Sequence, residues 1–162
     1  MIKSLALSAL GLLACASAQA QSLVTMETVG VWDIAVDPSI GNGCLLHASF
    51  DDGSDVRIGF DVSNDGGYLV ALNDGWEGIE EGTIYPVGLD VDGNAYEGEG
   101  TGITIGGKPG VDIAFEDAEF LIDVARHNVL TLSHAGDDVM AIELKDSAAA
   151  IMKVIECQEK QR

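Results

Sequence analysis

The sequence predicts an α+β fold that is mostly β: an antiparallel meander forming a sandwich or partly open barrel, with a short helix and a C-terminal helix packed on the sheet. Three observations carry this reading. Turn-forming Gly, Asn and Asp recur at short, regular intervals. The segments between them alternate apolar and polar residues with period two. In the last third the apolar spacing changes to a helical one in two places.

The turn signals are Asp37-Pro38, Gly41-Asn42-Gly43, Asp51-Asp52-Gly53, Asn64-Asp65-Gly66-Gly67, Asn73-Asp74-Gly75, Asp92-Gly93-Asn94, Gly106-Gly107 and Gly136-Asp137. Gly, Asn and Asp tolerate the positive φ of tight turns, which is why they mark them. Val29–Val36 alternates about Trp32, Ile34 and Val36. Cys44–Phe50 is largely apolar. Val56, Ile58, Phe60 and Val62 alternate with Arg57, Gly59 and Asp61, a half-buried strand, and Tyr68–Leu72 and Thr83–Val91 continue the pattern. Tyr96–Gly110 is glycine-rich and weakly patterned, and is read as an irregular hairpin through Gly102–Ile105.

Glu116–His127 places Phe120, Leu121, Val124 and Ala125 at helical spacing. Acids in its first turn and Arg126-His127 in its last suit the helix dipole. Val129–Ser133 and Val139–Leu144 read as a hairpin across Ala135–Asp138. Asp146 or Ser147 is placed to cap a final helix through about Glu159, with Ala148, Ile151, Met152, Val154, Ile155 and Cys157 on its apolar arc.

Residues 1–20 read as a cleavable secretory signal peptide. Lys3 supplies the positive start, Leu5–Ala14 the apolar run and Ala18-Gln19-Ala20 the small-residue cleavage site, so that Gln21 begins the mature chain. The apolar run is about 10 residues, too short to span a bilayer. Leu12-Leu13-Ala14-Cys15 resembles a lipobox, and lipid attachment at Cys15 is the alternative. The expected organisation is therefore a signal peptide followed by a single β-rich domain over residues 21–162, periplasmic or secreted, with no later membrane span.

The whole chain holds 8 basic and 27 acidic side chains, a net charge of −19. Removing the signal takes away Lys3 and no acid, leaving 7 against 27 and a net of −20. Such a field repels nucleic acid and anionic lipid and favours cations or a basic protein partner. Cysteine use agrees with export. Cys15 lies in the signal, and Cys44 and Cys157 remain as one even pair. In an oxidising compartment they are expected to form a disulfide, two buried thiols being the alternative.

No motif points to catalysis, and no catalytic residues or cofactor are assigned. Asp61-Val62-Ser63-Asn64-Asp65-Gly66 and Asp90-Val91-Asp92-Gly93-Asn94 open like calcium loops, but their twelfth positions are Leu72 and Thr101 where the bidentate Glu should stand. Both fit hairpin turns better. Weak divalent-cation binding at the acidic surface stays open without a dedicated metal site. His47, His127 and His134 lack zinc-ligand spacing. There is no G-x-S-x-G elbow, and the glycines between 98 and 110 lack the Lys-Ser/Thr pair of a phosphate loop. Trp32 is expected in the core. Trp76, in the turn-rich Asn73–Gly78 segment, and Tyr96 are the candidate contact residues of a binding module.

Trp32-Asp33-Ile34-Ala35-Val36 near the mature start is similar to the opening strand of small periplasmic alphaproteobacterial proteins of the invasion-associated locus B type. The tail resembles the same family: strand Val139–Leu144, then Lys145-Asp146-Ser147-Ala148-Ala149-Ala150-Ile151 and Cys157-Gln158. Asp146-Ser147 stands where that family has Gly-Phe, and its further cysteines are absent. The resemblance implies a secreted, non-enzymatic, β-rich domain and assigns no ligand. The function expected is a binding or protein-interaction module. The alternatives are a hydrolase with a non-motif active site and a structural envelope protein without a discrete ligand.

Overall fold

A computed structural model describes residues 22–64, 66–116 and 118–161. The signal peptide and Cys15 lie outside the described residues. The strands are β1 (Val24–Val29), β2 (Trp32–Asp37), β3 (Gly43–Ser49), β4 (Ser54–Asp61), β5 (Gly66–Asn73), β6 (Ile84–Val91), β7 (Asn94–Ile105), β8 (Lys108–Phe115), β9 (Val129–His134) and β10 (Asp137–Glu143). Helix α1 (Glu119–Arg126) joins β8 to β9, and α2 (Ser147–Lys160) ends the chain. All ten strands form one antiparallel sheet in the order β1-β2-β3-β4-β5-β8-β7-β6-β9-β10, open between β1 and β10.

The expected class holds: mostly antiparallel β, with a short and a C-terminal helix on the sheet. The meander is complete through β5. The chain then leaves β5, returns as β6 three positions away, and meanders back through β7 and β8 until β8 pairs with β5. The 74–83 loop is the connection that makes this jump.

Local details differ from the sequence reading where long-range contacts intervene. Val29–Val36 is not one strand. Gly30 takes φ +61° and turns the chain between β1 and β2. The glycine-rich Tyr96–Gly110 segment is ordered, most of it within the long strand β7, and its turn is Gly106-Gly107 with both φ positive. Glycine carries no side-chain pattern, so periodicity could not reveal this strand.

Most of the core lies on one face of the sheet, where Ile34, Leu46, Ile58, Leu69, Leu132 and Ile142 meet Phe120, Leu121 and Val124 of α1 and Ile151 and Val154 of α2. The opposite face buries Ala35, Leu45, Tyr68, Val70 and Leu72. Burial of β5 on both faces accounts for its unbroken apolar run.

Helix α2 lies on β2 and β3. The Cys44–Cys157 disulfide joins it to the sheet with 6.0 Å between the Cα atoms, as the cysteine count predicts. The Cys44 N–H donates to Gln158 Oε1 at 2.9 Å, the Trp32 indole N–H donates to the Lys145 carbonyl at 2.9 Å, and the Ser147 hydroxyl donates to the Val124 carbonyl at 3.0 Å. Gln158 is buried where it accepts from Cys44, and the buried face keeps Ile151, Val154 and Cys157 of the expected arc but differs from it at other positions. Ala150 is buried instead of Ala148, and Met152 is exposed. Asp146 precedes the helix at φ +63° and makes no side-chain capping bond.

Candidate functional site

Trp76 sits in the 74–83 connection, and backbone chemistry holds that connection at both ends. At its start, Asn73 Oδ1 accepts from the Gly75 N–H at 2.7 Å, an Asx turn, while Asn73 Nδ2 donates to the buried Ser54 hydroxyl at 3.0 Å. Lys108 Nζ donates to the Gly53 carbonyl at 2.7 Å and stands 3.5 Å from Asp74. At its end, the Gly82 N–H donates to the Gly102 carbonyl at 2.8 Å and the Gly102 N–H to the Thr83 carbonyl at 2.7 Å. The Glu80 carbonyl lies so close to β7 that a Cβ at position 102 would sit 2.2 Å from it. Only glycine permits that approach.

This anchoring places half-buried Trp76 against the main core and leaves a cavity of about 370 Å³ beneath the loop. Its walls include Trp76 and Ile79 from the loop, Tyr85 and Val87 from β6, His134 from β9 and Val139 from β10. Tyr85 and His134 meet edge to face, with ring centroids 6.0 Å apart. Two polar side chains stand among apolar walls. His134 Nδ1 lies 2.7 Å from the Pro86 carbonyl, so that nitrogen carries the proton as donor and Nε2 is the free acceptor in the neutral ring. The Tyr85 hydroxyl accepts from the Glu80 N–H at 2.9 Å and keeps its own proton for donation. A cavity of this size falls at the lower end of the roughly 300–1,000 Å³ of small-molecule sites, and its lining is mostly apolar, with half-buried Tyr85 and exposed His134 among it.

Of the two residues singled out in the sequence, Trp76 lines this cavity and Tyr96 does not. Tyr96 is opposite Leu89 on β6, and its hydroxyl donates to Asp123 of α1. That hydrogen bond raises the phenol above its ordinary range. Nothing in the local sequence marks Tyr85 and His134 as site residues. Their positions are nonetheless in the pattern: Tyr85 continues the Val87, Leu89, Val91 stripe and His134 the Leu130, Leu132 stripe. Only the pairing of β6 with β9 brings the ends of the two stripes together.

The other side-chain groupings serve the fold. Asp61 Oδ1 accepts from the Ser63 and Asn64 N–H groups, closing its own turn. Both Asp92 oxygens accept from the 128–129 segment, and these bonds, first that from the Asn128 N–H, lower its carboxyl. Among the described residues no cluster of three or more His, Cys, Asp or Glu side chains is arranged to hold a metal ion. His127 is held between the Asp123 carbonyl and Asn94.

His47, Ser49 and Asp55 do meet on the second face of the sheet. There His47 Nε2 stands 2.9 Å and Ser49 Oγ 2.8 Å from the same oxygen, Asp55 Oδ2. The carboxylate stands between hydroxyl and imidazole, whereas a nucleophilic serine must present its hydroxyl to the imidazole. Burial alone would raise Asp55, but the bonds from His47 and Ser49, aided by the charge of Arg57, hold it below the ordinary carboxylate range. Asp112, further along this face, is pushed up by burial and by Asp61, and its Oδ1 is buried with no hydrogen-bond partner.

No protein-family model matches the chain, and no curated protein matches it in sequence. Among solved structures it is similar to the crystal structure of invasion-associated protein B from Bartonella henselae, with a TM-score of 0.59 and 18% identity over 82% of this chain and 97% of that one. The two share a fold, in agreement with the resemblance carried by the Trp32 strand and the C-terminal tail. Among the described residues no helix is long and apolar enough to cross a membrane.

Proposed function

We propose that this chain is an exported, non-catalytic binding module of the periplasm or exterior, and that it holds an apolar or aromatic group in the cavity beneath Trp76. The observation that carries the reading is the cavity itself: a loop anchored at both ends spans an apolar pocket in which His134 offers an acceptor and Tyr85 a donor. Export is supported by the signal-like first 20 residues and by a disulfide that suits an oxidising compartment. The likeness to invasion-associated protein B supports the same setting through its fold.

The test is a fluorescence titration of the mature protein with the uncharged dye Nile red. A saturable enhancement from one site is expected, retained in Trp76→Phe and reduced about tenfold or more in affinity in Trp76→Ala. Equal enhancement in Trp76→Ala, or none in the wild type, would contradict the assignment.

A further inference from the structure

The charge around the cavity narrows what enters it. The loop that forms the roof carries Glu77, Glu80 and Glu81 within five residues and no basic side chain. All three are exposed, and Glu77 borders the cavity. Across the whole chain acids outnumber bases by 27 to 8. An apolar interior thus has one carboxylate, Glu77, at its edge and two more, Glu80 and Glu81, exposed on the same loop of a strongly acidic protein.

Building on the binding function above, we infer that the occupant is an aromatic or bulky apolar side chain presented by a basic segment of a partner protein. The apolar side chain fills the space between Trp76, Tyr85 and Val139, where burial of its surface supplies the attraction. The Tyr85 hydroxyl and His134 Nε2 meet a backbone carbonyl and N–H of the inserted segment. Flanking Lys or Arg residues face Glu77, Glu80 and Glu81, which steer the encounter and reject acidic sequences. An anionic ligand of the same size would meet repulsion at the rim, and a neutral one would gain nothing from it.

The inference is tested by calorimetric titration of the mature protein, at low and at high salt, with three pentapeptides blocked at both ends: Lys-Lys-Phe-Lys-Lys, Glu-Glu-Phe-Glu-Glu and Lys-Lys-Ala-Lys-Lys. The first should bind about tenfold or more tightly than either of the others, and the gap over the acidic peptide should narrow as salt screens the rim. The double variant Glu80→Gln, Glu81→Gln, at two loop residues outside the cavity lining, should reduce the preference for basic flanks while still binding Nile red. Equal binding of the Phe and Ala peptides would reduce the effect to diffuse surface charge and overturn the inference. Equal binding of the basic and acidic Phe peptides would overturn the role of the rim and leave the cavity function standing. Nile red binding without binding of the basic Phe peptide would overturn the inference alone, whereas loss of both would remove the binding function as well.

Discussion

Around Cys44 and Trp32 the sheet is held by side chains: a disulfide to α2, a buried hydrogen bond from the Cys44 N–H to Gln158 Oε1, and a hydrogen bond from the Trp32 indole N–H to the Lys145 carbonyl. Around Trp76 the loop is held at its main chain, by close backbone contacts that Gly102 permits and by hydrogen bonds from its N–H groups to the Asn73 and Tyr85 side chains. The first region is closely packed at its centre and keeps only a smaller space, of about 200 Å³, beside Cys157 and Ile34. Trp32, Cys44 and Leu46 are wholly buried there. The second keeps a cavity with a half-buried aromatic roof. On the proposed binding function, the cross-linked end serves stability and the end beneath the 74–83 loop serves binding, and substitutions at the two ends should therefore have separable effects.

The largest effect should come from the cross-linked end. Replacing both cysteines by serine removes a cross-link between residues 113 apart, which constrains the unfolded chain by about 4–5 kcal/mol in the loop-entropy model. Urea unfolding of the double variant should show a loss of that order, with Nile red affinity unchanged under folding conditions. Gly102→Ala should act at the other end. Its Cβ would collide with the Glu80 carbonyl, so the roof must shift, at a cost of about 1–3 kcal/mol and with dye binding lost. Trp76→Ala should cost only about 1 kcal/mol, because the ring is half-exposed, and yet weaken dye binding about tenfold or more. If the cysteine variant lost binding while still folded, the two ends would not be separable.

Two smaller changes sharpen the comparison by touching neither end. Ala135 occupies the left-handed region at φ +54° in the β9–β10 turn, which costs an alanine side chain strain that Asn tolerates. Ala135→Asn should raise stability by about 0.5–1 kcal/mol in thermal unfolding, without effect on binding. Asp112 is raised by burial and by Asp61, so the native state keeps its proton to higher pH than the unfolded chain does. Its ionisation at neutral pH then costs stability, and the cost disappears as pH falls below the ordinary value of 3.8. Asp112→Asn should therefore raise the midpoint of thermal unfolding at pH 7 and leave it unchanged near pH 3.

Much of the cross-linked end was legible in the sequence. An even pair of cysteines allows one pairing, Trp32 stands in an alternating strand, and the apolar spacing of 147–160 is helical. What was not legible there is long-range: Gln158 is buried where it accepts from the Cys44 N–H, 114 residues away. The end beneath the 74–83 loop was less legible. Trp76 could be singled out as an aromatic in a turn-rich loop, but its partners depend on strand order. Tyr85 and His134 converge only because β6 leaves its place beside β5 to β8 and pairs with β9. The glycines of β7 hide its period because they have no side chain, and at Gly102 the same lack makes room for the 74–83 loop.

The central claim, that the cavity beneath Trp76 is the binding site, is tested most directly by titrating uniformly 15N-labelled mature protein with indole and following every amide. Saturable shifts should concentrate at residues 75–79, 85–87, 134 and 139, with the surroundings of Cys44 and Cys157 undisturbed. Shifts that failed to saturate, or that centred on the Cys44 end or on Tyr96, would contradict it.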